Sequence, residues 1–500
     1  MTGVLIRRAD LGGPAPADVR VTGGTVAEIG PQLPARSGEE VLDARGGALL
    51  PGLCDHHLHL HAIAAAGQSA RCGPPEVTGP GALAAALAAA APDERGWVRG
   101  VGYSEDVAGP LDAAALDRLH ARRPVRIQHR SGALWIVNTA GARALGLAHG
   151  THPGIERDSR SGPTGRLWRA DDWLRAQLPR SRPPGLAPVG ARLARLGITH
   201  VTDATPDLDT VAIDAISAAM RTAALPQHVQ LLGVPLDWTA PARPPAPAAG
   251  PYKIVLTDSG LPGLEPLTDR IRAAHASGRG VAAHCVTREA LVLLVAALEL
   301  AAAADAEPGG TTGLAGTADA GPVTLAAPGA GATPRPGDRI EHAALVPAGM
   351  IPRLRDLGLR VVTQPGFLAC RGDDYLRDVP ASDHADLYRA RSLVEGGVPC
   401  ALSSDAPYGP LDPWAVMAAA MLRRTPSGRV AGAGEHLTPE QALAGYLSRP
   451  DQPGGPPRTV RPGSPADLVL LRVSRTEALN TLDADLVAAT LIGGLVRWAA

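Results

Sequence analysis

The sequence predicts a parallel α/β fold, a barrel of the (β/α)8 TIM type with a small β domain built from both chain termini. Three observations lead there. Short apolar runs alternate with Ala/Leu/Arg-rich helical stretches through the middle of the chain. Both ends read instead as short strands separated by Gly-Gly turns. Several central runs end on side chains able to bind a metal. Alternating strand- and helix-length segments are the mark of a parallel sheet with crossover helices, and the functional side chains of a barrel gather at the C-terminal ends of its strands.

Length and composition are compatible with this. The 500 residues suffice for one large barrel with an appendage, or for two to three ordinary domains. Apolar residues make up 45% but aromatics only 3%, with a single Phe, so the core must be built from Ala, Val, Leu and Ile. A net charge of −1 argues against a general nucleic-acid binder, which carries a basic surplus. The five cysteines are scattered and form no CxxC pair, which speaks against a disulfide framework or a thiolate zinc site. The N-terminal "MTGVLIRRADLGG" lacks a signal-peptide core, and no apolar run reaches the ~18 residues of a membrane span. A cytoplasmic protein with a small-molecule partner, no nucleic acid and no membrane is expected, with a homo-oligomer left open.

In chain order, residues 1–50 contain "GVLIRRA", "DVRVTGGTVAEIG" and "GALLPG", and Gly23-Gly24 is a two-residue hairpin signal. The C-terminal "ADLVLLRV" and "LVAATLIGGLVRWA" repeat the pattern, so residues 1–50 and 455–500 are expected to form one composite β domain around a barrel at 51–454. Between them lie nine strand candidates, at 53–59, 124–129, 198–203, 228–233, 252–258, 281–285, 338–342, 359–364 and 399–405. A closed barrel needs eight, so one should lie outside it. The Pro/Ala stretch 240–251 reads as a loop. Residues 304–337, poor in large apolar side chains, read as a flexible insertion.

The chemistry concentrates at strand ends. "LCDHHLHLH" (53–61) holds His56, His57, His59 and His61. Strand alternation puts His57, His59 and His61 on one face and His56 on the other. His284, His342 and Asp405 end later strands. Imidazole and carboxylate suit Zn2+, Mn2+ or Fe2+. Singly, each residue has an ordinary reading as a packed histidine or a helix-capping aspartate; together, in order and at strand ends, they point to a metal site.

The opening "LLPGLCDHHLHLH" and the closing "GSPADLVLL" (463–471) resemble the signatures of the amidohydrolase superfamily, metal-dependent (β/α)8-barrel hydrolases with a small β-sandwich domain. "GWVRGVGYSED" (96–106), "WIVNTAGARALGL" (135–147), "GPTGRLWR" (162–169), "LGITHVTDA" (196–204), "KIVLTDSGL" (253–261), "RIEHAALVP" (339–347) and "SSDAPYGPLDPW" (403–414) are similar to the branch holding N-substituted formamide deformylase and YtcJ-like proteins, amidohydrolase family 3. The resemblance covers nearly the whole chain.

It implies ligands on barrel strands 1, 4, 5, 6 and 8: His57 and His59, Lys253, His284, His342 and Asp405. It leaves the 124–129 run over, as part of a subdomain inserted after strand 1 at about 62–190. It implies one or two divalent transition-metal ions, Zn2+ foremost, and a CO2-derived carbamate on Lys253 bridging them. From the residue alone, Lys253 is equally an edge lysine with its amine in solvent. The expected activity is hydrolysis of a C–N bond other than a peptide bond, in an amide, formamide or cyclic amide. Metal-activated water is the nucleophile and Asp405 the general base as well as a ligand. The alternatives are a catalytically inactive homologue that binds only, or the same metal site used for isomerisation, decarboxylation or ester hydrolysis.

One departure bears on substrate. Where the branch commonly has Asp-Gly-His, this chain has Ser131-Gly132-Ala133 ahead of Asn138, with His129 four residues before Ala133. Of the remaining residues, Asp55 is expected either to hold a ligand's second ring nitrogen or to be structural. Cys285 is expected to be a buried inert thiol. Gln364, Arg371 and Tyr408 stand near strand ends, within reach of substrate or purely structural. His56 is expected to be structural, and His61 to lie past the strand.

Overall fold

The structure is a computed structural model that describes residues 3–159, 162–178, 183–257, 260–305 and 337–500. Of the expected loop at about 304–337, residues 306–336 lie outside the described residues. The chain divides into two compact units, residues 1–59 with 186–500, and residues 60–185.

In the first unit the two chain ends form two four-stranded sheets. One runs Thr25–Gly30, Ala17–Thr22, Val4–Ala9, Glu40–Asp43; the other runs Leu495–Ala499, Val487–Ile492, Leu468–Leu471, Leu49–Pro51. Both Gly-Gly pairs turn tight hairpins. Gly23 and Gly24 have φ of +61° and +80°, and Gly493 and Gly494 of +59° and +78°, the doubly left-handed geometry that matches strand twist and that side chains disfavour. Alternate residues Val4, Ile6, Val19 and Val21 of one sheet meet Leu468, Leu470, Ala489 and Leu491 of the other in one apolar cluster. At Gly24 an added Cβ would also sit 3.3 Å from the Gly493 carbonyl oxygen. Gly24→Ala is therefore expected to cost about 1–2 kcal/mol. The urea midpoint should fall with an unchanged slope; an unchanged midpoint would contradict the turn assignment.

The same unit carries the parallel strands. Leu53–Leu58, Ile198–Asp203, His228–Leu231 and the short Ala248–Ala249 form one sheet. Tyr252–Val255, Val281–Cys285, Arg339–His342, Arg360–Thr363 and Cys400–Leu402 form another. Backbone bonds join them at both margins: Lys253 N–H to the Leu232 carbonyl at 3.1 Å, Asp405 N–H to that of His57 at 2.8 Å, and His59 N–H to that of Ala406 at 2.9 Å. Helices follow most strands, and the fold is α/β of the TIM-barrel type. The apolar cluster around the second sheet contains Ile254, Leu267, Ile271, Val281, Leu291, Leu294, Ile340, Leu354 and Val361 and no fully buried aromatic ring, as the composition requires. After the last strand, Asp412 caps the Pro413–Leu422 helix by accepting from the N–H of Trp414 at 2.9 Å, with Pro413 at the first position, where a missing N–H costs nothing.

The 60–185 unit has a six-stranded sheet in the order Ile155–Asp158, Gly162–Trp168, Leu134–Val137, Val125–His129, Val98–Tyr103, Ala70–Arg71. Its own core includes Leu83, Leu87, Val98, Leu116, Val125 and Ile127. The ninth strand candidate lies in this sheet. Among the described residues no helix is long and apolar enough to cross a membrane, and none of the five cysteines forms a disulfide.

Candidate metal centre

His57, His59, His284 and His342 lie at or just past the ends of parallel strands, Asp405 lies three residues beyond Cys400–Leu402, and Lys253 is the second residue of Tyr252–Val255. His57 and His59 project from one face at the end of Leu53–Leu58. Their Nε2 atoms converge on Asp405 Oδ1, at 3.5 Å and 3.0 Å. The His342 ring lies 4.8 Å from that of His57 and 4.4 Å from that of His284, centre to centre. Bonds of about 2.0–2.1 Å to one ion at tetrahedral angles leave neighbouring donors about 3.3 Å apart. The His57, His59 and Asp405 separations bracket that value, so the donor set fits a divalent ion.

Backbone conformation helps to aim these side chains. His342 and Asp405 have φ of +72° and +51°, left-handed values that cost a side-chain-bearing residue roughly 1–2 kcal/mol and cluster at functional sites. The turn at Asp405 lets its N–H reach the His57 carbonyl while its carboxylate faces the two imidazoles.

Three rings have their second nitrogen occupied. The Nδ1 of His57 meets the Glu341 carboxylate, that of His59 lies 3.1 Å from Thr205 Oγ1, and that of His342 lies 2.8 Å from Gln364 Oε1. An Nδ1–H given to these acceptors leaves the Nε2 lone pair free for an ion, the arrangement that orients metal-bound histidines. Glu341 is itself fully buried and paired with Arg339 Nε at 2.5 Å. Arg339 in turn donates to the His56 carbonyl at 3.1 Å.

Burial dominates the electrostatics. It drives the pKa of His57 and His342 well below the ordinary histidine value, with Lys253 and neighbouring imidazoles acting in the same direction. Burial thus favours the neutral form of both rings, the form a metal ligand needs. Burial also lowers the Lys253 pKa, against the opposing pull of Glu341 and Asp405. The side chain is only 5% exposed, which removes the reading of an edge lysine with its amine in solvent. Burial pushes the Asp55 carboxyl up to about 7, although the N–H groups of His57 and Ser404 donate to it.

Several residues have other places. Asp55 holds two backbone N–H groups, so the carboxylate on the second nitrogen of His57 is Glu341. Glu341 escaped the sequence reading because alternation sends residues 341 and 342 to opposite faces; the left-handed turn at His342 breaks that rule. The only sequence hint is a carboxylate next to a strand-end histidine. His56 faces away, 3.0 Å from Ser448 Oγ at the end of the Pro439–Leu447 helix. His61 lies in the Leu60–Gly67 helix. Gln364 binds His342 and Ser403 and is fully buried. The Cys285 thiol is buried, which pushes its pKa up to about 12 and disfavours the reactive thiolate. Arg371 donates to the Tyr408 carbonyl at 2.6 Å and stacks over Phe367. The Tyr408 ring meets His59 edge-on at 5.5 Å. Phe367, Tyr375, Tyr388 and Tyr408 belong to one cluster, and Tyr408 brings its edge up to His59. In the 60–185 unit, His129 contacts Ser131 and Glu105. Asn138 accepts from Val125 and Gly141 and donates to the carbonyls of His120 and Arg123, which is a structural role.

The amidohydrolase family profile matches residues 40–497. N-substituted formamide deformylase of Arthrobacter pascens is 28% identical over 165 residues, 32% of this chain and 30% of that protein; the match thus spans less than a third of that relative. Among solved structures, a metal-dependent hydrolase of Pyrococcus horikoshii superposes with a TM-score of 0.70 at 18% identity, over 94% of this chain and 97% of that one. N-isopropylammelide isopropylaminohydrolase of Burkholderia multivorans does so at 0.53 and 15% identity, over 99% and 98%.

Proposed function

Because the chain belongs to the amidohydrolase family, we propose that it is a metal-dependent hydrolase of C–N bonds in amide, formamide or cyclic-amide substrates, with Asp405 as general base. The observation that carries this reading is the convergence of His57 and His59 Nε2 on Asp405 while acceptors hold their other nitrogens. The accompanying architecture would be a closed eight-stranded barrel at 51–454, with Ala248–Ala249 and Tyr252–Val255 counted as one interrupted strand, a β-sandwich from residues 1–50 and 455–500, and an insert at about 62–190. The formamide deformylase match supports an amide-type substrate. Scattered cysteines without disulfides support a cytoplasmic location.

His57, His59, His284, His342 and Asp405 would hold the ion, and four imidazoles with one carboxylate suit Zn2+. Once bound, the ion supplies an activated water and polarises the substrate carbonyl. Asp405 accepts the proton of the attacking water and returns it to the leaving nitrogen. Tyr408, which joins the aromatic cluster of Phe367, Tyr375 and Tyr388 and meets His59, would pack the organic part of the substrate. Lys253 is the position for a carbamate. Its burial favours the neutral amine, which would add to CO2 and lose one proton to give an anionic group able to join the ligand set.

Metal analysis by mass spectrometry, joined to a screen of formamides, N-acyl amines and cyclic amides, tests the reading. Bound transition metal and hydrolysis of at least one substrate class are expected. A metal-replete preparation that binds no ion would refute it. Two ions per chain, with a carbamate carbon seen by NMR after labelling with 13C-enriched CO2, are expected for the bridged form; one ion and no such signal would leave Lys253 unmodified.

A further inference from the structure

A second set of metal-competent side chains stands apart from the centre described above. His200, on Ile198–Asp203, and His228, the first residue of His228–Leu231, are register partners on adjacent parallel strands, with rings stacked at 4.6 Å. Asp467, just before Leu468–Leu471, meets both: Oδ1 lies 3.1 Å from His228 Nε2 and Oδ2 lies 3.7 Å from His200 Nε2. One oxygen thus faces each imidazole, and a ligand atom from each of the three residues lies within 4.8 Å of the other two, close enough for one ion to be shared.

The surroundings hold the three donors in place. Asp467 Oδ1 accepts from Gly493 N–H at 2.8 Å, and its carbonyl accepts from Gly52 N–H at 2.8 Å. His200 Nδ1 lies 2.9 Å from Thr199 Oγ1, whose hydroxyl reaches the Leu53 carbonyl at 3.5 Å. With Nδ1–H given to Thr199 and the Thr199 hydroxyl to Leu53, the His200 Nε2 lone pair would be available to an ion shared with the Asp467 carboxylate. A lone pair facing a carboxylate needs a cation or a proton between them. Arg458 Nη1 is farther from His200 Nδ1, at 3.4 Å, and the same guanidinium already donates to the carbonyls of Leu447 and Gly52. Were Arg458 the donor to Nδ1, Nε2–H would bind Asp467 directly and no ion would be needed. His200 and Asp467 are largely buried, while the His228 side chain is 52% exposed and leaves a way in.

We propose that His200, His228 and Asp467 form a structural site for a Zn2+-class ion, tying two parallel strands to the C-terminal antiparallel sheet. This site is independent of the centre at Asp405. The test is equilibrium dialysis of the untagged, metal-stripped full-length protein against Zn2+, with metal content read by mass spectrometry. Wild type is expected to bind one equivalent more than His228→Ala and than Asp467→Asn, and to show a Zn2+-dependent rise in Tm that both variants lose. Two variants are used because Asp467→Asn also alters a buried hydrogen bond, whereas His228 is half exposed. A His57→Asn/His59→Asn protein should keep this equivalent whatever happens at the other centre. Equal stoichiometry in wild type and His228→Ala, or loss of the equivalent only in the His57/His59 variant, would overturn the proposal.

Discussion

Asp405→Asn is expected to lower kcat by about 10²–10⁴-fold on whichever C–N substrate the enzyme hydrolyses, the range contributed by a positioned general acid–base. The amide keeps the shape of the carboxylate and one oxygen toward His57 and His59, but it cannot accept the water proton. Metal content must be measured on the same preparation, because Asp405 is also placed as a ligand. A variant that keeps its metal and loses turnover identifies Asp405 as the base. A variant that keeps both would exclude it. The backbone N–H of Asp405, which bonds the His57 carbonyl, is untouched by the change, so circular dichroism should match wild type.

Glu341→Gln is expected to have the other large effect, on metal affinity and on stability together. The Glu341 carboxylate holds the His57 ring and neutralises Arg339 in a fully buried setting. Weakening such a partner of a ligating histidine costs about 10–100-fold in metal affinity. Removing one side of a buried ion pair costs about 3–5 kcal/mol, because the other charge is left uncompensated. Chelator competition should read the first effect and urea unfolding of the metal-free protein the second. Combining Glu341→Gln with Arg339→Met separates them: stability should partly recover, while metal affinity should stay low because His57 still lacks its carboxylate. Recovery of both would mean that Glu341 acts only through Arg339.

The two substitutions differ in how visible their targets are in the sequence. Asp405 stands in a distinctive segment, Ser-Ser-Asp-Ala-Pro, at the end of an apolar run. His57 and His59 are visible because the i, i+2 spacing alone places them on one strand face. The two Gly-Gly hairpins are equally local, since a two-residue turn with both φ values positive selects glycine. Lys253 is different. Only the resemblance to a known family singled it out, because one lysine in an apolar strand looks the same whether its amine is buried or in water. Glu341, Thr205 and Gln364 had no signal that alternation could read. Their work is to hold the second nitrogen of rings contributed by other strands, and it depends on which strands become neighbours. His200, His228 and Asp467 are far apart in the chain and meet through parallel register and sheet packing.

By itself, then, the sequence determined what periodicity and turn chemistry encode: the alternation of strands and helices, the antiparallel ends, an aromatic-poor core, and a metal-competent residue at the end of several strands. The tertiary structure alone decided which nitrogen of each histidine faces inward, that the Lys253 side chain is buried, and that Glu341 rather than Asp55 supports His57. The physical reason is that ring orientation and burial are set by atoms contributed from other elements. A left-handed turn at His342 or Asp405 becomes worth its strain only when those neighbours are in place.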